Sequence, residues 1–334
     1  MKKIVKSIIF IIFALMMCFA FAACGGATED DKNNDRPTLI IPEGRQYYDV
    51  FIFMGQSNMA GRGLEYDEAI PVGEGHGLEY RAVTGNDEDG WLYPVTEPFG
   101  KKENNAALSD GGNGDGKKSG GLVSAFCESY YEETGVPVVG VSASVGGTSI
   151  NLWTPGTSYF NESKRRLRNA LDYVSELENT EVRYINMVWC QGESDASAFA
   201  SGSIDYNAKL KSIYEGLTDI GNGWGVEHCF VIPPSEYSNG SQVDAKVKLI
   251  ENQIKFCEDE EDFILASLKF RNVPSKLRDD PHFHQGVYNV CGWDAGKNIS
   301  SYLKTEKEPE CSAFVAGEEK TLAEKFGIEL TYHT

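Results

Sequence analysis

Ser57 stands in DVFIFMGQSNMAGRG, residues 49–63, where a run of apolar and aromatic residues stops at Gly55-Gln56-Ser57-Asn58. A serine placed straight after a buried strand, at the start of a helix, is exposed on the carboxyl edge of a sheet. Helix N–H groups favour negative charge there, which suits an attacking alkoxide or the oxyanion it creates. The commoner use of such a serine is to cap the helix. This stretch alone favours the cap. Other residues must supply the rest of the chemistry.

Three further stretches supply it. Residues 144–149, SVGGTS, follow an apolar run, and paired glycines let backbone N–H groups approach a ligand as an oxyanion hole requires. Residues 189–195, WCQGESD, end another run. Gln191 can present a side-chain N–H to a developing oxyanion, and Gly192 leaves room for it. Glu193 and Asp195 are carboxylates of the kind that serve as acids or bases, and more often cap helix N–H groups. The fourth stretch is DDPHFH, residues 279–284. His282 sits three residues after Asp279, a spacing that lets the carboxylate hold imidazole Nδ1 and leaves Nε2 to take the proton of Ser57. His284, with Asp280, is the competing pair. The chain has 5 histidines, and the sequence places His76, His228 and His333 on the surface.

The elements that must position these groups follow from hydrophobic patterning. Short apolar runs at 48–54, 136–141, 182–189, 229–232 and 263–266 predict buried strands. Helical spacing at 122–134, 163–177, 206–220 and 244–258 predicts helices between them. The alternation implies an α/β fold with a parallel central sheet covered by helices on both faces, where chemistry gathers at the carboxyl ends of strands. Residues 61–121 are expected to be long surface loops that wall a substrate groove.

With these residues in view, the chain resembles the SGNH hydrolases, and more closely their carbohydrate-esterase branch of sialate O-acetylesterase-like and acetylxylan esterases. The matching motifs are GQSNMAGRG at 55–63, VGGTSINLW at 145–153, WCQGESDA at 189–196 and DDPHF at 279–283. The resemblance spans roughly residues 45–303 and implies a flavodoxin-like three-layer α/β/α sandwich with no metal or organic cofactor. By that resemblance Ser57 is the nucleophile, and its own N–H joins Gly146 and Gln191 in the oxyanion hole. Gly147 is a close second to Gly146. Asp279 and His282 complete the triad, and Glu193 is a rival to Asp279 as its acid. Gln56 and Asn58 are supporting residues. The implied activity is removal of O-acetyl groups from carbohydrate, such as xylan or sialic acid. The alternatives are a lipase or thioesterase on the same fold, or a non-catalytic glycan-binding lipoprotein.

Composition bounds the partners and the location. The net charge is -19 over 334 residues, which disfavours nucleic acid or an anionic membrane surface as a partner. Residues 1–23 have the basic start and apolar run of a signal peptide. Small residues before Cys24, then Gly25 and Gly26, resemble a bacterial lipobox. This predicts a secreted protein tethered to the outer face of the cell membrane by lipid on Cys24; a soluble secreted form cut nearby, or an uncleaved N-terminal anchor, is the alternative. Residues 24–44 are expected to be a polar linker, 45–303 the esterase domain and 304–334 an extension packed on it. Of 8 cysteines, the six beyond Cys24 carry no metal-ligand spacing and are expected to be buried thiols.

Overall fold

A computed structural model describes residues 46–81, 90–103, 107–110, 117–237, 242–279 and 281–331. The signal peptide, the linker, Cys24, Asp280 and His333 lie outside the described residues. Nine strands are described: β1 Gln46–Gly55, β2 Gly77–Arg81, β3 Trp91–Pro94, β4 Val138–Ser144, β5 Thr180–Cys190, β6 His228–Val231, β7 Phe263–Leu265, β8 Arg278–Asp279 and β9 His282–Phe283. The helices, in chain order, are α1 Ser57–Ala60, α2 Val123–Thr134, α3 Ser158–Glu176, α4 Ala196–Ala200, α5 Tyr206–Glu215, α6 Val243–Asp259, α7 Gln285–Thr305 and α8 Glu318–Phe326.

Seven strands form one sheet in the order β3-β2-β4-β1-β5-β6-β7, parallel throughout except for β3 at the edge. β1 shows why helices cover both faces. Its residues alternate, with Val50, Ile52 and Met54 joining one apolar cluster and Phe51 and Phe53 the other. The first cluster is closed by α3, α5 and α6 through Leu167, Leu210 and Leu249. The second is closed by α2 and α7 through Phe126 and Val287. This is a three-layer α/β/α sandwich of the flavodoxin-like SGNH type.

The five strands expected from sequence coincide with β1, β4, β5, β6 and β7. Two expectations are corrected, and one helix is added. Residues 61–121 are not only loops, because β2 and β3 extend the sheet beyond β4. Their short sequences carry no apolar run; Glu79 within β2 is buried and paired with Arg81 and the Gly100 N–H. The sequence also gives no sign of α7. Its glycines blur the apolar pattern, yet they let it lie close against α2: a Cβ on Gly292 would stand 2.0 Å from Leu122 O. His228 is the second correction. It opens β6 half-buried, with its ring 5.3 Å from Tyr302, and burial lowers its pKa.

All six cysteines beyond Cys24 are free thiols, five of them buried. Past residue 303, Glu318 pairs with Lys269, and Phe326 lies 5.3 Å from the Trp293 ring. Among the described residues no helix is long and apolar enough to cross a membrane.

Candidate active site

The sheet brings three of the four stretches to one level. Gly55 at the end of β1 lies opposite Ser144 of β4 and Cys190 of β5. The chain then continues from these three neighbouring strands into Gln56-Ser57, Val145-Gly146 and Gln191-Gly192. The order of strands reverses around β1, so this is the position where an open α/β sheet has its crevice.

The corner before Ser57 is built on Gly55, whose φ of +141° suits glycine. The Gln56 N–H donates to Cys190 O at 3.0 Å, and the Val145 N–H donates to Gly55 O at 3.0 Å. Gln56, not Ser57, occupies the N-cap position, so the helix-cap use of the serine does not apply. Ser57 is the first residue of the one-turn α1 and is 6% exposed. Among the described residues neither its hydroxyl nor its N–H has a hydrogen-bond partner.

Asn58 ties this corner to the rest of the site. Its Nδ2 donates to Glu193 Oε1 at 2.6 Å and reaches Pro281 O at 3.4 Å. Its Oδ1 accepts from the Tyr288 hydroxyl at 2.8 Å. Pro281 belongs to the fourth stretch, so the Ser57 corner and the His282 hairpin touch through Asn58. In that hairpin β8 and β9 pair antiparallel, with Asp279 directly opposite His282 in backbone register. Phe283, stacked 4.8 Å from Phe270 and buried, anchors it. His282 itself is half-buried.

Glu193, the rival acid, is engaged by Asn58, and its Oε2 has no partner among the described residues. Burial raises its pKa, opposed by the Asn58 hydrogen bond and the charge of Lys246. His284, the rival base, caps α7 and sets its Nδ1 against Glu65 Oε1 at 3.1 Å, both side chains being buried. That contact joins the segment after His282 to the loop after Ser57.

Gln191 is held by the fold on every side of its amide. The sequence gives its amide to the oxyanion; the structure buries it and sets its Nε2 against three acceptors of the fold. These are Thr148 O at 2.9 Å, Asp195 Oδ2 at 2.5 Å and Gln56 Oε1 at 3.1 Å. Its own Oε1 accepts from the Tyr206 hydroxyl at 2.7 Å. Both amide hydrogens thus face buried acceptors in the free protein. Gln191 therefore links the corner at Gln56 to the turn at Thr148. Asp195 completes that turn, accepting from Ser149 Oγ at 2.6 Å and the Ile150 N–H at 2.7 Å.

The Gly146 N–H also has a partner, the Asp110 Oδ1 at 3.0 Å. Asp110 in turn forms a two-pronged pair with Arg62, at 2.9 and 2.8 Å from Nη2. Gly147 is exposed with φ +71°. Beneath the same turn Lys118 donates to Ser142 Oγ at 3.0 Å and Ser144 Oγ at 2.8 Å. Asp110 and Lys118 carry no motif and flank a stretch of low apolar content, so the sequence offered no signal for them. Arg62 stood inside GQSNMAGRG, five residues past Ser57, and that spacing was its only signal.

Burial pushes the Lys118 ammonium down to about 8 from the usual 10.5, against the opposing charge of Asp110. Between these values the unfolded chain binds more proton than the folded one, so stability rises with pH across that window. Below about 8 the buried charge costs roughly 3 kcal/mol, taking ~1.4 kcal/mol per pKa unit. Lys118→Met is expected to gain stability near pH 7, and that advantage should shrink from pH 8 to 10. Urea unfolding of both proteins across this range checks it; parallel curves would contradict it.

An α/β/α sandwich with a serine, a glycine turn and a glutamine at adjacent strand ends defines the class of SGNH-type hydrolases. Residues 47–222 match the family described as "Carbohydrate esterase, sialic acid-specific acetylesterase", and the chain belongs to that family. It is an enzyme, a carbohydrate O-acetylesterase acting on acetylated sugars. The matched segment contains Ser57, Gly146 and Gln191 and ends before the Asp279–His282 hairpin. Among solved structures, a protein from Arabidopsis thaliana aligns at a TM-score of 0.53 with 19% identity, covering 77% of this chain and 98% of its own. The structure titled NanS aligns at 0.54 with 14% identity, covering 80% and 100%. At these identities the two likenesses concern the fold. No curated protein matches the chain.

Proposed function

We propose that Ser57, His282 and Asp279 form the triad of an extracellular serine esterase that removes acetyl groups from a polysaccharide such as xylan or from sialic acid. The observation that carries this is the common level of Gly55, Ser144 and Cys190, which gathers Ser57 and the Gly146 turn at one crevice. Ser57 Oγ attacks the acetyl carbonyl, and its proton passes to His282 Nε2. The sugar oxygen leaves with that proton, and a water then cleaves the acetyl-enzyme by the same route in reverse. The backbone pairing of Asp279 with His282 supports Asp279 as the orienting acid. Glu193 serves instead to hold Asn58 beside Ser57. The Ser57 and Gly146 N–H groups face the oxyanion, the latter once Asp110 is displaced, and Gln191 keeps them in position.

Family membership favours this reading over a lipase, a thioesterase or a non-catalytic glycan binder. Rates on acetyl and long-chain nitrophenyl esters test it, together with acetate release from acetylated xylan and sialic acid. Acetyl esters are expected to be preferred by at least about tenfold, the scale of discrimination a pocket gives for added methylenes. A preference for long acyl chains, with no acetate released from either carbohydrate, would contradict it. We also propose tethering by lipid on Cys24, supported by the basic and apolar leader before it.

A further inference from the structure

We propose that Arg62 is a catalytic residue whose Nη2 binds the oxyanion together with the Gly146 N–H, at the point that the Asp110 carboxylate holds in the free enzyme. The inference rests on the reading of Ser57 and Gly146 given above. One oxygen, Asp110 Oδ1, lies 3.0 Å from Gly146 N and 2.9 Å from Arg62 Nη2. Donors converging on a single oxygen position are what an oxyanion hole consists of. An acetyl oxygen that reaches the Gly146 N–H therefore also reaches Arg62.

The surrounding structure fixes that donor. Arg62 Nη1 donates to Gly61 O at 2.7 Å, which orients the guanidinium. A Cβ on Gly146 would stand 2.2 Å from Arg62 Nη2, so only glycine lets the cation lie against the turn. The Arg62 side chain is 13% exposed and that of Asp110 4%, so little water screens the contact. Arg62 follows Ser57 by five residues through α1, so one short segment carries the nucleophile and the proposed donor. Lys118, held on Ser142 and Ser144, is a second cation whose charge interacts with Asp110. Gln191, which the family pattern would assign to this task, has its amide hydrogens directed elsewhere.

In the reacting state Ser57 Oγ forms its bond to the carbonyl carbon while its proton moves to His282. The carbonyl π pair becomes the oxyanion, and Arg62 and Gly146 donate to it. Collapse restores the carbonyl and expels the sugar oxygen, which takes the proton from His282. Asp110 competes with the oxyanion for the same two donors and acts as an internal competitive anion. Removing its charge weakens the competitor, because hydrogen bonds between charged partners are roughly twice as strong as neutral ones.

The test is hydrolysis of 4-nitrophenyl acetate by wild type, R62Q, R62K and D110N, with active sites counted by a fluorophosphonate and folding checked by thermal melting. Per active site, R62Q is expected to lose about 100-fold in kcat with KM little changed, the usual loss for one oxyanion donor. R62K should fall between R62Q and wild type. D110N should gain several-fold in kcat/KM. An R62Q enzyme within about threefold of wild-type kcat per active site would overturn the role, as would a D110N enzyme that loses activity. Should R62Q not fold, R62K and D110N decide by the same criteria. A wild type that neither labels at Ser57 nor hydrolyses the acetate would instead overturn the underlying reading, and this one with it.

Discussion

Ser57→Ala is expected to lower acetate release by at least about 10⁴-fold while leaving the melting temperature within about 1 °C of wild type. Removing a serine nucleophile costs up to ~10⁶ in kcat in a comparable triad, and what survives comes from binding and the oxyanion donors alone. The melting temperature should hold because the Ser57 hydroxyl has no hydrogen-bond partner among the described residues, so alanine leaves no buried group orphaned. The pairing of results is informative. A large loss of both activity and stability would make Ser57 a structural residue. A normal rate in S57A would remove it from the chemistry.

Gly55→Ala is expected to have the largest effect on the fold of any substitution near the site. A Cβ at this position would stand 2.0 Å from Cys190 O and 2.7 Å from Cys190 C, both backbone atoms of the neighbouring strand. Such a clash cannot be relieved by turning a side chain. The φ of +141° adds strain that an L-residue rarely bears. Separating β1 from β5 at this level also breaks the Gln56 N–H bond to Cys190 O. We expect a loss on the order of 4 kcal/mol, combining overpacking at about 1–3 kcal/mol with backbone strain of about 1–3 kcal/mol. The folded remainder should label at Ser57 far more slowly, because Ser57 lies two residues beyond the displaced atom. Urea unfolding and the labelling rate check both parts; wild-type values in both would contradict the described corner.

Why some of this was visible in the sequence can be argued from particular residues. β1 was legible because FIFM is apolar on both faces, and the two faces enter separate cores. The same holds for β4 and β5, so the polar stops at Gln56, Gly146 and Gln191 could be placed at carboxyl ends. β2 was not legible. Its Glu79 is buried on the strength of Arg81 and the Gly100 N–H, a partnership set by the tertiary fold. α7 was missed because Gly286, Gly292 and Gly296 interrupt its apolar pattern, though the last two let it pack tightly on α2.

The site divides in the same way. Residue type and position after a strand pointed to Ser57, the glycine turn and the Asp279–His282 spacing. What each polar group does with its hydrogens depends on partners distant in sequence. Gln191 meets Gln56 and Thr148, 135 and 43 residues away, and no local pattern records this. The Arg62–Asp110 pair spans 48 residues and joins a motif to a stretch that has none. His284 stood next to the expected base, yet its partner Glu65 is 219 residues away.

The central claim is that Ser57 is an activated nucleophile in one crevice with His282. It is tested most directly by reacting the full protein with a fluorophosphonate and locating the adduct by peptide mass spectrometry. One label per molecule on the peptide containing Ser57 is predicted, with the rate reduced by at least about 100-fold in His282→Ala, as loss of a general base requires. A label on any other serine, or equal labelling of wild type and H282A, would contradict the account.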